Sequence, residues 1–184
     1  MARNRVIYQS EALFAGQLTG TTLTHADNGA DIRQLHRIQS ANYSFSVART
    51  DVNQFGELAS IDRVVLDTPT VSLDFSYLLA NLTNEDSLGF YVNPKTNTTN
   101  NLVSALSGVL NKTTDERNFF IQTSREGEDA IGDTNRDDIG VARASTIGIG
   151  NGFVTSYNCE ASVGGFPTVS VSVEAMNMNF TTGT

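Results

Sequence analysis

Tryptophan is absent from these 184 residues, cysteine occurs once and proline three times. With Cys159 alone, no intramolecular disulfide is possible, so a disulfide scaffold is excluded. No segment approaches the ~20 consecutive apolar residues of a membrane-spanning helix. The opening stretch MARNRVIYQSEALFAG carries two arginines but no apolar run of signal-peptide length, so the expectation is a soluble protein made and folded in a cytosol. Basic residues are also scarce. Twelve Lys and Arg stand against twenty Asp and Glu, a formal charge of −8. That balance argues against a protein that grips nucleic-acid phosphates, which would need clustered cations. It leaves open a surface that nucleic acid passes without sticking.

Catalytic and metal motifs are equally thin. His25 and His36 stand eleven residues apart, in no ligand spacing. GIGNG (148–152) has the wrong spacing for a dinucleotide fingerprint, and a strand, not a helix, is expected after it, so its glycines read as turn or strand-entry positions. DTNRDDIG begins like a calcium loop at Asp133, Asn135 and Asp137. It then places Asp138 where the turn needs glycine, and Ala144 where the bidentate acid belongs. No Gly-x-Ser-x-Gly elbow occurs. The reading is of a protein that is not an enzyme and needs no cofactor and no metal, with Cys159 expected as a buried small hydrophobe.

What is present is alternation. From residue 35, Leu35, Ala41, Tyr43, Phe45 and Val47 share one parity, and Asn42, Ser44 and Ser46 the other. That is the pattern of a strand buried on one face. After the connection ARTDVNQFGELASIDR, a second strand is predicted from about Val64 to Tyr77, with Val71, Leu73, Phe75 and Tyr77 opposing Ser72, Asp74 and Ser76. NLTNEDSLGFYVNPKTNTTNN reads as turns. A helix is predicted at about 101–111, where Leu102, Val103, Leu106, Val109 and Leu110 fall on one face, and a short strand at RNFFIQTS. Residues 125–138 hold six acids and two arginines, an acidic loop. In the final third, Tyr157, Cys159, Ala161 and Val163 oppose Asn158, Glu160 and Ser162. After GGFP, Val169, Val171, Val173 and Ala175 oppose Ser170, Ser172 and Glu174. The apolar parity then slips to Met176, Met178 and Phe180, as at a β-bulge.

These strands repeat. NYSFSV (42–47) matches NCEASV (158–163), and PTVSLDF (69–75) matches PTVSVSV (167–173) in the same order. The offsets are 116 and 98 residues, so the first copy holds 18 more residues in its connection. Pro69 and Pro167 open their strands, where a missing N–H costs no ladder bond. The pattern reads as a duplicated hairpin, at about 35–78 and 150–180, within one domain spanning 1–184. The polar faces hold only Ser, Asn and the carboxylates Asp74, Glu160 and Glu174, whereas exposed sheets usually mix both charge signs.

A chain carrying ANYSFSVARTDVNQFGELASIDRVVLDTPTVSLDFSY and ending GFVTSYNCEASVGGFPTVSVSVEAMN resembles the tail tube (major tail) proteins of tailed bacteriophages. The resemblance covers about residues 38–78 and 150–180. It implies a mainly β fold, a sandwich or partial barrel of two long hairpins with one short α-helix. In that family the hairpins of six subunits join into one large barrel, and the rings stack into the tail. About 24 strands at ~4.8 Å spacing and ~45° tilt give a circumference of roughly 160 Å, a channel that passes a DNA duplex. It further implies that Asn42, Ser44, Ser46, Ser72, Asp74, Ser76, Asn158, Glu160, Ser162, Ser170, Ser172 and Glu174 face the channel, and that DNA slides through without specific binding. The implied partners are further copies of this chain, tape measure, tail terminator and baseplate proteins, and a sheath where the tail contracts, with no membrane. The implied location is the virion tail, assembled in the bacterial host cytoplasm. Candidates for ring-on-ring contact are the longer connection at about 48–65 and the segments at 80–100 and 125–140. The alternatives are a tail terminator or another ring-forming tube protein, a monomeric β-sandwich binding module of the virion, and an acidic hydrolase.

Overall fold

The computed structural model describes residues 11–16, 32–52, 55, 62–65, 67–90, 92, 116–124, 130 and 145–182. The helix expected at 101–111, His25 and nearly all of the acidic loop 125–138 lie outside the described residues.

The elements are β1 (Ala12–Gly16), β2 (Arg33–Gln34), β3 (Ile38–Ser46), β4 (Arg49–Val52), β5 (Asp62–Val65), β6 (Thr70–Leu78), α1 (Thr83–Leu88), β7 (Arg117–Thr123), β8 (Ser145–Glu160), β9 (Thr168–Ala175) and β10 (Asn177–Thr181). The main sheet runs β2-β1-β7-β8-β9-β6-β3, and β10 also pairs with β8. Every pairing is antiparallel.

The sixteen-residue β8 belongs to two layers. Its first half pairs with β7 and β10, and its second half pairs with β9. Between them the backbone bends at Asn151, whose φ is 56°. On the opposing side β9 ends at Ala175, a bend follows at Met176, and β10 resumes in the same register. Glu174 faces Phe153, and Asn177 faces Gly150. The register runs unbroken past Ala175 and Met176, so the β-bulge expected there is absent; the strand bends instead, matched by a bend across the ladder. It folds the sheet over on itself.

The fold-over encloses the core. Val71, Leu73, Phe75 and Tyr77 of β6 and Val169, Val171, Val173 and Ala175 of β9 pack with Leu13, Ala15, Phe119, Ile121 and Ile149 of the other layer and Leu88 of α1. Each fully buried Val, Leu or Phe contributes about 1.5–3 kcal/mol relative to exposure. Strict alternation in β6 and β9 puts all of this on one side of the sheet.

Four expectations need correction. The strand expected from Val64 to Tyr77 is two strands, β5 and β6, because Pro69 and its neighbours break the ladder. The connection 48–65 is not all loop: β4 and β5 pair in a separate two-stranded sheet. The turn-rich stretch contains α1, which at six residues is too short to show a helical period. It begins after Leu82 in the left-handed region and ends at Gly89, φ 100°. GIGNG lies inside β8 and is not a strand entry.

Candidate functional site: the polar face of the four-stranded sheet

Strands β3, β6, β9 and the second half of β8 lie side by side in that order. Cross-strand partners in an antiparallel ladder share a face. Asn42 faces Asp74, which faces Ser172, which faces Ser156. Ser44 faces Ser72, then Glu174, then Phe153. Ser76 faces Ser170, then Asn158, and Glu160 faces Thr168. Ser46 faces Thr70. Eleven of the twelve residues named from the sequence thus share one face, opposite the core. Ser162 does not join them, because β8 ends at Glu160; the Ser162 carbonyl instead accepts from Gly165 N–H in the turn, at 3.1 Å.

Alternation places Ser156 on this face and misses Phe153. Between Val154 and Ser156 the register shifts, so counting by twos from Tyr157 gives the wrong parity beyond Thr155.

Four of the serine hydroxyls pair with one another across the ladder. Ser44 and Ser72 hydroxyls lie 2.7 Å apart across the ladder, and Ser40 and Ser76 lie 2.6 Å apart. Hydroxyls paired this way have less left to offer a passing phosphate. Asp74, Glu160 and Glu174 are exposed on the same face, and none of the four strands contains Lys or Arg.

Both outer strands of this sheet have an open side. Among the described residues, β3 pairs only with β6, and residues 153–160 of β8 pair only with β9. On the apolar parity these edges carry Tyr43 and Phe45 at one side, and Tyr157 and Cys159 at the other, all exposed. Cys159 is therefore not the buried hydrophobe expected. It faces the core side beside Val169, and no strand of the described residues lies beyond it.

Behind the β8 edge lies a tyrosine pair anchored on one buried carboxyl. Glu85 of α1 is 6% exposed. Its Oε1 accepts from Tyr77 OH at 2.6 Å and from Tyr157 OH at 3.0 Å, and Phe90 meets the Tyr157 ring edge-on at 5.0 Å between centroids. Burial, then the Glu85 hydrogen bond and charge, push the Tyr157 hydroxyl up to about 12 and raise that of Tyr77 as well. Both folded values lie above the unfolded one. Stability from this pair is thus complete below about pH 10 and falls as pH rises above it, the Tyr157 share being lost through the range from 10 to 12. Melting temperatures measured from pH 8 to 12 should fall less steeply in Tyr157→Phe than in the native chain.

Among the described residues, no group of three or more His, Cys, Asp or Glu is placed to hold a metal ion. No family model matches the sequence, and no curated protein sequence matches it. Solved structures do. The SPP1 tail tube superposes with a TM-score of 0.55 at 7% identity, covering 97% of this chain and 80% of that one. A chain of the extended sheath–tube complex of a PVC extracellular contractile injection system gives 0.56 at 8% identity, covering 98% and 94%. A chain of that system's sheath/tube terminator gives 0.55 at 6% identity, covering 98% and 99%. The fold of this chain is that of tail tube and injection tube subunits.

Proposed function

We propose that this chain is a structural subunit of a phage tail tube, in which six copies join edge to edge and rings stack into a channel for the genome. The observation that carries this reading is the four-stranded sheet with two open edges. Because the four strands alternate in direction, β3 of one copy runs antiparallel to the second half of β8 in the next and can extend the ladder. Ring closure would use up both edges, which otherwise template aggregation. It would also cover Tyr43, Phe45, Tyr157 and Cys159. The polar face then lines the channel, and its carboxylates repel phosphate over roughly the ~10 Å Debye length at 0.1 M salt. The fold shared with the SPP1 tail tube supports the same reading.

Purified protein at high concentration should form rings or tubes visible by negative-stain electron microscopy. A clean monomer would overturn the proposal, and rings that never lengthen would favour a terminator. Changing Asp74, Glu160 and Glu174 together to Lys should leave tube assembly intact while cutting genome delivery at least tenfold, measured as DNA released from reconstituted tails. Unchanged delivery would remove the electrostatic part of the proposal.

A further inference from the structure

Each open edge of the four-stranded sheet carries a bulge. On β3 the register shifts between Ile38 and Ser40, and on β8 between Val154 and Ser156. A bulge interrupts regular pairing along its strand. Each edge therefore keeps one uninterrupted stretch, Ser40 to Ser46 on β3 and Ser156 to Glu160 on β8.

The backbone groups these stretches leave for a partner follow from the ladder. Leu78 N–H donates to the Arg37 carbonyl, and Leu79 N–H donates to the Pro167 carbonyl. Along β6, then, even-numbered residues bond toward β3 and odd-numbered ones toward β9. Carried across the sheet, this alternation leaves Ala41, Tyr43 and Phe45 bonding out of the β3 edge, and Tyr157 and Cys159 out of the β8 edge. All but Ala41 also have exposed side chains.

Three constraints choose how the two edges meet. Polar and apolar faces must match, so the register can change only in steps of two residues. Pairing all of Ser156 to Glu160 within Ser40 to Ser46 then leaves two registers, with Ser156 opposite either Ser44 or Ser46. Within one copy, Ser156 lies level with Asn42, so these registers step the wall by two or four residues per copy. Over four strands ~4.8 Å apart, at ~3.3 Å per residue, a step of two gives a tilt of about 20° and a step of four about 35°. Closed barrels typically tilt by about 35–45°, which selects the second.

We infer that β3 of one copy meets β8 of the next with Tyr43 opposite Cys159 and Phe45 opposite Tyr157, the two bulges acting as stops that hold this register. The inference rests on the tube reading and adds to it the step that sets the slant of the wall. On the outer face it brings the Phe45 and Tyr157 rings together as a cross-strand aromatic pair. On the lining it sets Asn42 opposite Glu160, where the amide N–H can donate to the carboxylate. In the other register Glu160 meets Ser40, whose hydroxyl is already paired with Ser76 at 2.6 Å.

Native Cys159 is a built-in probe of this register. Opposed residues that bond to each other have Cα atoms ~5.5 Å apart, within the reach of a disulfide. Full-length Ala41→Cys, Tyr43→Cys and Phe45→Cys, each keeping Cys159, are assembled, oxidised and run on non-reducing gels. Tyr43→Cys should link copies at least tenfold faster than the other two. Fastest linking from Ala41→Cys or Phe45→Cys would overturn the register and leave the ring standing. Rings seen by electron microscopy in which none of the three links would overturn edge-to-edge joining, and a native chain that forms no rings would overturn the tube reading with it. Because loss of an aromatic ring could weaken assembly, a second measurement keeps both rings. In a Cys159→Ser background, Asn42→Cys with Glu160→Cys should link copies at least tenfold faster than Ser40→Cys with Glu160→Cys. The reverse order would overturn the register.

Discussion

Replacing Glu85 by alanine is expected to lower stability by about 2 kcal/mol. The Tyr77 hydroxyl, on a side chain 1% exposed, loses its acceptor, and leaving a buried donor unmade costs about 1–3 kcal/mol. Removing the carboxyl also opens space between α1 and β6 while relieving the burial of a charged group, so the net falls in the middle of that range. Glu85→Gln keeps an acceptor oxygen but a neutral one, and hydrogen bonds to neutral acceptors are about half as strong. It should therefore lose only about 1 kcal/mol. For a chain of this length each kcal/mol shifts the midpoint by about 2–4 °C, so thermal melts of the three proteins should rank native, glutamine, alanine. The same change frees Tyr157, which stands on the open edge of β8. Alanine should thus impair ring formation beyond its effect on the melt, whereas a purely local stabilising role would leave ring yield unchanged at a temperature where the variant is folded.

The second large effect is expected at Gly152. It lies buried in the bend of β8, where a Cβ would sit 2.9 Å from a Phe119 ring carbon, 3.0 Å from Val173 Cγ1 and 3.1 Å from the Arg117 carbonyl oxygen. Two of these neighbours are core side chains and the third is backbone, so none can swing away into solvent. Overpacking a filled core costs typically 1–3 kcal/mol. Gly152→Ala should fall near the lower end and Gly152→Val at or above the upper, read from denaturant midpoints. Because the bend folds the two layers together, the valine variant should also show raised dye binding to exposed apolar surface. A midpoint for Gly152→Val within 0.5 kcal/mol of native would mean that the bend relaxes without cost.

The polar face was legible because its signal is local. In β6 and β9 the period of two holds without interruption, so each residue from Val71 to Tyr77 and from Val169 to Ala175 falls on the side its parity assigns. Parity failed where the ladder gains a residue, at Thr155, and where it stops, at Glu160. The β4–β5 pair was hidden because β4 buries no face, which leaves no alternation to read in RTDV. α1 was hidden because its six residues are held by tertiary contacts. The His36 N–H donates to Asn84 Oδ1 at 2.8 Å, and Asn84 Nδ2 donates back to the His36 carbonyl at 2.9 Å. The Glu85 anchor joins residues 72 positions apart, a distance no spacing rule spans.

The pairing of β6 with β9 places Asp74 opposite Ser172, and these two occupy the same position in the repeated Pro-Thr-Val-Ser strands. A local twofold axis therefore runs through the middle of the sheet, perpendicular to it. Turned end over end about that axis, β6 falls on β9, although the carboxylates do not repeat: Asp74 falls on Ser172 and Glu174 on Ser76. The first connection is also longer than the second by 18 residues, at one end only. A conduit made from this sheet would have an inlet distinguishable from its outlet, both by the insertion at one rim and by the placing of charge along the lining.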